Sequence, residues 1–340
     1  MRGFVHATGA FLALCYGLAT LGLAGFAVLA ALGFAVPLFD LFNHLQPVLF
    51  FGCLVALLAA PLFLRSFRAM ATALALSATG LVASGFVYLP EAIGGFTLEH
   101  SPAKEGTETI RLMTFNVFGR NETPMAIVDT VLAVEPDIVA LQEYSFEVRN
   151  RIHQALLAHY PHFQYCQGGE RAFVGLYSKI AFTPLERGTC PASIMSQDRT
   201  ARIIAQFLPQ DGAPFVIATT HNDWPAPISR QQEQLGALVD ALSGVEGPLM
   251  LVGDFNSTPW SYALRTFQSR AGLTRHTRNL PTFPTLWYYL GDWRATPAIL
   301  PIDHVMTRGG INVHSLETGP ASGSDHLPVV VEFSVAEERG

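Results

Sequence analysis

PLMLVGDFNSTPWS, residues 248–261, is the stretch from which the fold is read. Its apolar run, residues 249–252, has the length and composition of a buried strand, and the glycine and short polar residues of Gly253-Asp254-Phe255-Asn256 are expected to end the pairing. A carboxylate and a carboxamide are left at the exit. With one residue between them, Asp254 and Asn256 share a face if the extended geometry persists. That arrangement suits a pair handling one phosphate and its attacking water. Taken alone, the same four residues describe an ordinary Asp/Asn turn, so the decision passes to the rest of the chain.

Outward from this strand, the chain repeats the same event. Residues 110–116, IRLMTFN, alternate apolar and polar side chains and end at Asn116; residues 137–141, DIVAL, end in Gln142-Glu143. Further strands are expected at 173–177, 202–208, 215–220, 302–306 and 327–333, with helices at 124–134, 229–243 and 262–270. Several strands read as hairpin neighbours, which favours a mixed sheet sandwich flanked by helices over a purely parallel sheet. The exits carry Asn116, Glu143, His221, Asp254 with Asn256, Asp303 with His304, and Asp325 with His326. Carboxylates and carboxamides offer hard oxygen ligands for Mg²⁺ or Mn²⁺, and histidines transfer protons near neutral pH. Catalytic groups gather on connections held by a rigid sheet. His304, which strand alternation turns away from Asp303, is read as structural. Arg199, before the strand at 202–208, is a candidate phosphate contact or a surface ion pair. Trp260, Trp287 and Trp293 either line a cleft or bury their area in a core.

The ordered set FNV, LQE, TTH, GDFN, IDHV and SDHLPV resembles the endonuclease/exonuclease/phosphatase superfamily, the DNase I-like proteins, over about residues 110–335. The resemblance implies an α/β (α+β) fold, a four-layered α/β sandwich with two mixed β-sheets, and metal-dependent hydrolysis of a phosphoester. By the same resemblance, Glu143 is the principal metal ligand with Asn116 beside it, and Asp325 is a second acid near the metal. Asp254 and Asn256 orient the nucleophile and contact phosphate, while His326, oriented by Asp303, acts as base or binds the transferring phosphate. His221 corresponds to a histidine near the leaving-group oxygen, although Asn222 stands where an apolar residue is usual. Glu170 occupies the place of a carboxylate paired to that histidine. The implied cofactor is Mg²⁺ or Mn²⁺.

The 340 residues are half hydrophobic, with a mean hydropathy of +0.30. The excess lies at the front, where runs at about 7–38, 45–64 and 69–89 lack charge and are each long enough to cross a bilayer as a helix. A signal peptide does not account for three such runs. Arg2 precedes the first run and Arg65 and Arg68 separate the second from the third, whereas the link between the first two carries only Asp40 and His44. By the bias of Lys and Arg toward cytoplasmic loops, everything after residue 90 is expected outside the cytoplasm. Gly17, Gly22 and Gly25 are candidates for close helix contact. The expected organisation is a three-helix transmembrane anchor at 1–90, a linker at 91–109 and a catalytic domain at 110–340. This makes the chain a multi-pass protein of the inner (plasma) membrane with a periplasmic or extracellular domain, and residues 7–89 meet the lipid bilayer. The membrane front end also resembles a bacterial, N-terminally anchored branch of the same superfamily.

Charges in residues 1–100 sum to zero, so the net −6 of the chain belongs to the remainder. Such a domain has no bulk attraction for nucleic acid. The first expectation is therefore a membrane-anchored phosphodiesterase or phosphatase. An extracytoplasmic nuclease cutting DNA or RNA is the alternative within the enzymes, and a catalytically inactive tethered scaffold is the alternative outside them. No protein partner is evident. Specificity is expected in the loops at 222–227 and 273–300. Cys166 and Cys190 can pair in an oxidising compartment.

Overall fold

The computed structural model describes residues 2–97, 100–103, 106–168, 172–186, 189, 192–193, 201–210 and 212–336. The chain divides into two compact units, residues 1–97 with 259–265, and residues 98–258 with 266–340.

The first unit is built on three helices, Arg2–Ala31, Gln46–Phe63 and Phe67–Thr97, with 3₁₀ turns at Leu32–Phe34 and Pro37–Leu45. Three segments of this unit, Ala7–Phe34, Pro37–Phe63 and Phe67–Thr97, are long and apolar enough to cross a membrane. The third continues through Pro90 to Thr97, beyond the apolar stretch read from the sequence. Close approach is made at Gly80, where an added Cβ would lie 2.6 Å from Cys53 Sγ and 2.9 Å from the Ala24 Cα. Gly17, Gly22 and Gly25, the candidates of the sequence, face open space instead. Composition alone does not say which small residue faces a neighbour. Several polar groups inside the unit pair with one another: Gln46 Nε2 donates to Asn43 Oδ1 and Ser84 Oγ to Gln46 Oε1. Asp40 is buried, and its carboxylate accepts from the Tyr262 and Ala263 amides and from Ser261 Oγ. Those amides open the Tyr262–Arg270 helix; Ser261 Oγ accepts from the Leu264 amide as an N-cap, and Asp40 satisfies the two amides before it from a distant segment.

The second unit packs two mixed sheets face to face. One has seven strands in the spatial order Ile311–Thr318, Val329–Val335, Ile110–Asn116, Ile138–Gln142, Ala172–Ser178, His162–Gly168, Ala192–Ser193. The other has six, in the order Thr274–Arg275, Asp303–Arg308, Leu249–Asp254, Phe215–His221, Ala201–Phe207, Phe182–Pro184. Leu112, Ile138, Ile203, Ile217, Val252 and Val331 belong to the core between them. Met113, Phe115, Val139 and Leu141 point the other way, against Ile127, Val131, Val148 and Ile152 of the Met125–Val134 and Phe146–Leu157 helices. The Ile110–Asn116 strand is thus covered on both faces, and Thr114 meets Gln142 inside the sandwich. The helix Ile228–Ser243 and residues 266–270 of the next helix follow the other sheet's strands, completing the four-layered α/β sandwich.

Each sheet has a central parallel pair, Ile110–Asn116 with Ile138–Gln142 and Phe215–His221 with Leu249–Asp254. Parallel neighbours bring their C-terminal ends to the same edge, which is what gathers the polar exits. The sequence reading missed the helix Phe146–Leu157 and the strands His162–Gly168 and Ile311–Thr318. It also missed a separate two-stranded hairpin, Leu286–Tyr289 with Asp292–Ala295. His162–Gly168 carries glutamine and histidine among its apolar residues and takes its identity from pairing with Ala172–Ser178. Cys166 is disulfide-bonded, Cys15 and Cys53 are free thiols, and Cys190 lies outside the described residues.

Candidate active site

Strand register sets the first distances. His221 and Asp303 are the cross-strand partners of Asp254, from the parallel and antiparallel neighbour respectively. Asn116 ends the strand beside Gln142 in the opposite sheet, one residue before Glu143. The two sheets meet where Asn116 Nδ2 donates to Asp254 Oδ2 at 2.9 Å. The same carboxylate oxygen lies 3.6 Å from His221 Nε2 and 3.8 Å from His326 Nε2. Glu143 Oε1 is 4.0 Å from His221 Nε2. On its other nitrogen, His326 Nδ1 is 2.8 Å from Asp303 Oδ2.

Local backbone explains how these side chains are aimed. Gly253 stays within the strand, which runs through Asp254, and adopts φ +138. A Cβ there would sit 2.0 Å from the Thr220 carbonyl oxygen, so only glycine lets the strand pass. Asn256 then takes φ +47, and its amide donates to Asp254 Oδ1 at 2.7 Å. The extended geometry does not persist, and Asp254 and Asn256 come together through a turn rather than by alternation. Asn256 Nδ2 is held by the Asn222 carbonyl at 2.9 Å, 3.4 Å from His221 Nε2. Glu143 is also left-handed at φ +50, and the Gly119 amide donates to its Oε2 at 2.8 Å. Three further groups brace the site. Thr282 Oγ1 donates to Asp303 Oδ2 at 2.5 Å; Ser324 Oγ donates to the Asn116 carbonyl and accepts from the His326 amide; and the Phe283 ring centroid lies 4.8 Å from that of His326. Ser324 opens the SDHLPV motif, whereas Thr282 and Phe283 had no signal beyond their loop.

Electrostatics follow from burial and crowding. Burial alone disfavours a charged His326, but Asp303 and Asp254 on either side and Asp325 next to it overcome that, raising its pKa to about 10. The ring is therefore an imidazolium at neutral pH. Asp254 is raised to about 6 by burial and by Asp303, against the pull of His326 and His221. Asp325 is raised to about 6 by burial, with Glu143 adding to it and His326 opposing it. Burial works against Glu143 too, yet His221, the Gly119 amide, His326 and Asn116 together hold its carboxyl below the usual range.

Ligand atoms of Asp254, Asp303 and His326 all lie within 4.8 Å of one another. A protonated imidazole with both nitrogens turned to carboxylates is a poor ligand, so this trio reads as a proton-handling device. Glu143, Asn116 and Asp325 carry the oxygen donors that suit a hard divalent cation. Glu143 is held by one oxygen and keeps the other toward the site, and Asp325 Oδ1 is buried with no hydrogen-bond partner among the described residues.

The structure thus gathers Asn116, Glu143, His221, Asp254, Asn256, Asp303, Asp325 and His326. Arg199 and Glu170 lie outside the described residues. His221 Nδ1, for which Glu170 was the expected partner, has none among the described residues. His304 is fully buried between Thr277 Oγ1 and the Ser257 carbonyl, in keeping with a structural role. Trp260 is buried beside Tyr88, while Trp287 is exposed.

A model of the Endonuclease/Exonuclease/phosphatase family matches residues 113–326. A UPF0294 protein of Vibrio cholerae is 28% identical over 231 residues, 66% of this chain and 77% of that protein. The human Nocturnin catalytic domain with bound sulfate superposes with a TM-score of 0.51 at 20% identity, over 71% of this chain and 99% of that one. The D. rerio TDP2 complexed with single-strand DNA product gives 0.52 at 12% identity, over 67% and 100%.

Proposed function

Because the chain belongs to the endonuclease/exonuclease/phosphatase family, we propose that it is a divalent-metal-dependent phosphoester hydrolase, a phosphodiesterase or phosphatase. In this reading the three apolar helices hold it in the plasma membrane and the second unit works outside the cytoplasm. The observation that carries the chemistry is the His326 ring clamped between Asp303 and Asp254, 2.8 Å and 3.8 Å from their Oδ2 atoms, at the meeting point of the two sheets. The distribution of Arg2, Arg65 and Arg68 supports the orientation.

Mg²⁺ or Mn²⁺, bound through Glu143 with Asn116 and Asp325, would neutralise phosphate charge and stabilise the leaving oxygen. The residues of the chain do the rest. Asp254, with a pKa near neutrality, takes the proton from the attacking water, and its Oδ1 is oriented by the Asn256 amide. Asn256 Nδ2 and His326 Nε2 supply donors for phosphoryl oxygens, and the positive charge of His326 compensates the charge that builds up there. Asp303 holds the ring by Nδ1, leaving Nε2 toward the reacting centre. His221, facing Glu143 and Asp254, stands where it can protonate the departing oxygen.

The test uses the full chain in detergent micelles with bis-p-nitrophenyl phosphate and p-nitrophenyl phosphate, with Mg²⁺ or Mn²⁺ and then with EDTA. Turnover that EDTA abolishes, and that Glu143→Ala, Asp254→Ala and His326→Ala each remove, is expected. Activity retained in all three variants would overturn the assignment. Protease added to intact spheroplasts should release the second unit; protection from it would reverse the orientation.

A further inference from the structure

The hairpin Leu286–Tyr289/Asp292–Ala295 belongs to neither sheet of the sandwich. A lone two-stranded ribbon in water is marginal, and it normally shows polar side chains on its open face. This one exposes large aromatic and apolar side chains beside one ion pair. Trp287, Tyr288 and Tyr289 are more than half exposed, and Leu290 at the turn is 87% exposed. The register pairs Trp287 with Arg294, Tyr288 with Trp293 and Tyr289 with Asp292, so apolar rings emerge on both faces and not along one packable side. Asp292 and Arg294 pair with each other at 3.5 Å, so the tip offers no net charge to a polyanion.

The ribbon is also rooted in the site. The Thr285 amide donates to the Asp325 carbonyl at 2.7 Å and Thr285 Oγ1 to the Ser324 carbonyl at 2.6 Å, while the Thr296 amide returns to the Thr285 carbonyl. Trp293 meets Phe118 edge-on at 5.2 Å, and the Phe118 amide donates to Asn116 Oδ1. Whatever the tip grips is therefore registered against the backbone that carries Asp325, His326 and Asn116.

We propose that residues 287–290 form an interfacial anchor that dips into a lipid surface and presents the active site to phosphoesters carried by the bilayer. Three features select a bilayer over other partners. Tryptophan and tyrosine, with an apolar body and a polar edge, concentrate at the lipid headgroup level. The charge-neutral tip lacks the cations that a nucleic acid requires. The same chain carries three helices long and apolar enough to cross a membrane, which keeps a bilayer at high effective concentration. The substrate class rests on the hydrolase reading above; the anchor itself does not.

The experiment keeps the two apart. The full chain with Cys15→Ser, Cys53→Ser and Leu290→Cys is labelled with an environment-sensitive dye and reconstituted in phosphatidylcholine/phosphatidylglycerol vesicles, with and without a lipid carrying a nitroxide near the headgroup. A dye at Asn312→Cys, on an exposed position of another strand, is the control. The expected result is blue-shifted emission at Leu290 and at least a threefold greater quenching by the nitroxide lipid than at Asn312. Equal quenching at the two positions overturns the anchor, and so does protection of the Leu290 dye by single-stranded oligonucleotide but not by lipid. In the activity arm, Tyr289→Glu with Leu290→Glu should lower the ratio of hydrolysis of a vesicle-borne phospholipid to that of bis-p-nitrophenyl phosphate at least tenfold. An unchanged ratio overturns the substrate class. Absence of turnover on both substrates fails the hydrolase reading and with it the substrate class, while the quenching result still decides the anchor.

Discussion

Asp303 Oδ2 accepts two hydrogen bonds at once, from His326 Nδ1 and from Thr282 Oγ1, inside a site where both partners of the ion pair are almost wholly buried. The threonine fixes the carboxylate, and the carboxylate fixes the ring. Thr282→Val keeps the shape and removes the donor, and loss of such an outer partner typically costs about 10- to 100-fold in function. The expected outcome is a kcat about 10-fold lower on bis-p-nitrophenyl phosphate with KM little changed, and Thr282→Ser should restore most of it. His326→Gln, which deletes the charge itself, should cost about 10³-fold. Asp303 and His326 were legible because each borders an apolar run. Thr282 was not, since nothing local marks a threonine whose loop folds back on a strand that comes later in the chain.

At the scale of the element, the strand that ends in Asp254 depends on Gly253. Its φ of +138 and the 2.0 Å gap from an added Cβ to the Thr220 oxygen combine strain with a backbone clash. Gly253→Ala should destabilise the protein by about 3 kcal/mol or more, read as a large fall in thermal midpoint or as insoluble protein. The sequence reading took this glycine as the end of pairing; it is the residue that permits pairing to continue to Asp254. The apolar helices teach a similar lesson. Gly80→Leu should lower the thermal midpoint in detergent, because its Cβ would run into Cys53 and Ala24, whereas Gly22→Leu, with open space before it, should change little. Spacing identified small residues in the first helix, but contact is a property of the pair of helices.

For the molecule as a whole, pH should act on stability through His276, which is not one of the site residues. Burial, reinforced by His100, Arg278 and Arg275, lowers its pKa to about 4. Its Nε2 pairs with Thr307 Oγ1 at 2.8 Å, and its Nδ1 is buried with no hydrogen-bond partner among the described residues. The folded protein therefore keeps this imidazole neutral, while the unfolded chain takes up the proton once pH drops below about 6.5. The stabilisation is complete above that value and is lost progressively as pH falls toward 4. The thermal midpoint of the intact protein should decline more steeply between pH 6.5 and 4.5 than that of His276→Gln. Parallel curves for the two proteins would remove His276 from the account.

What the sequence determined by itself is the set of strand exits, the chemistry of their side chains and the presence of three long apolar segments. These are readable because burial imposes a period and a length on the chain wherever an element forms. Glu143, Asp254, Asp303 and His326 could be named in this way without any coordinates. Tertiary structure alone decided which exits meet. Asn116 finds Asp254 across 138 residues and two sheets, Glu143 reaches the site through a left-handed turn, and Asp40 caps a helix more than 220 positions away. A local pattern records that a group will be buried or turned, but the partner that satisfies it is chosen by loop closure and packing between distant segments. GDFN illustrates both sides: its residues marked a polar strand exit, and the fold brought Asp254 and Asn256 together through a strained glycine and a turn where the pattern had implied a straight strand.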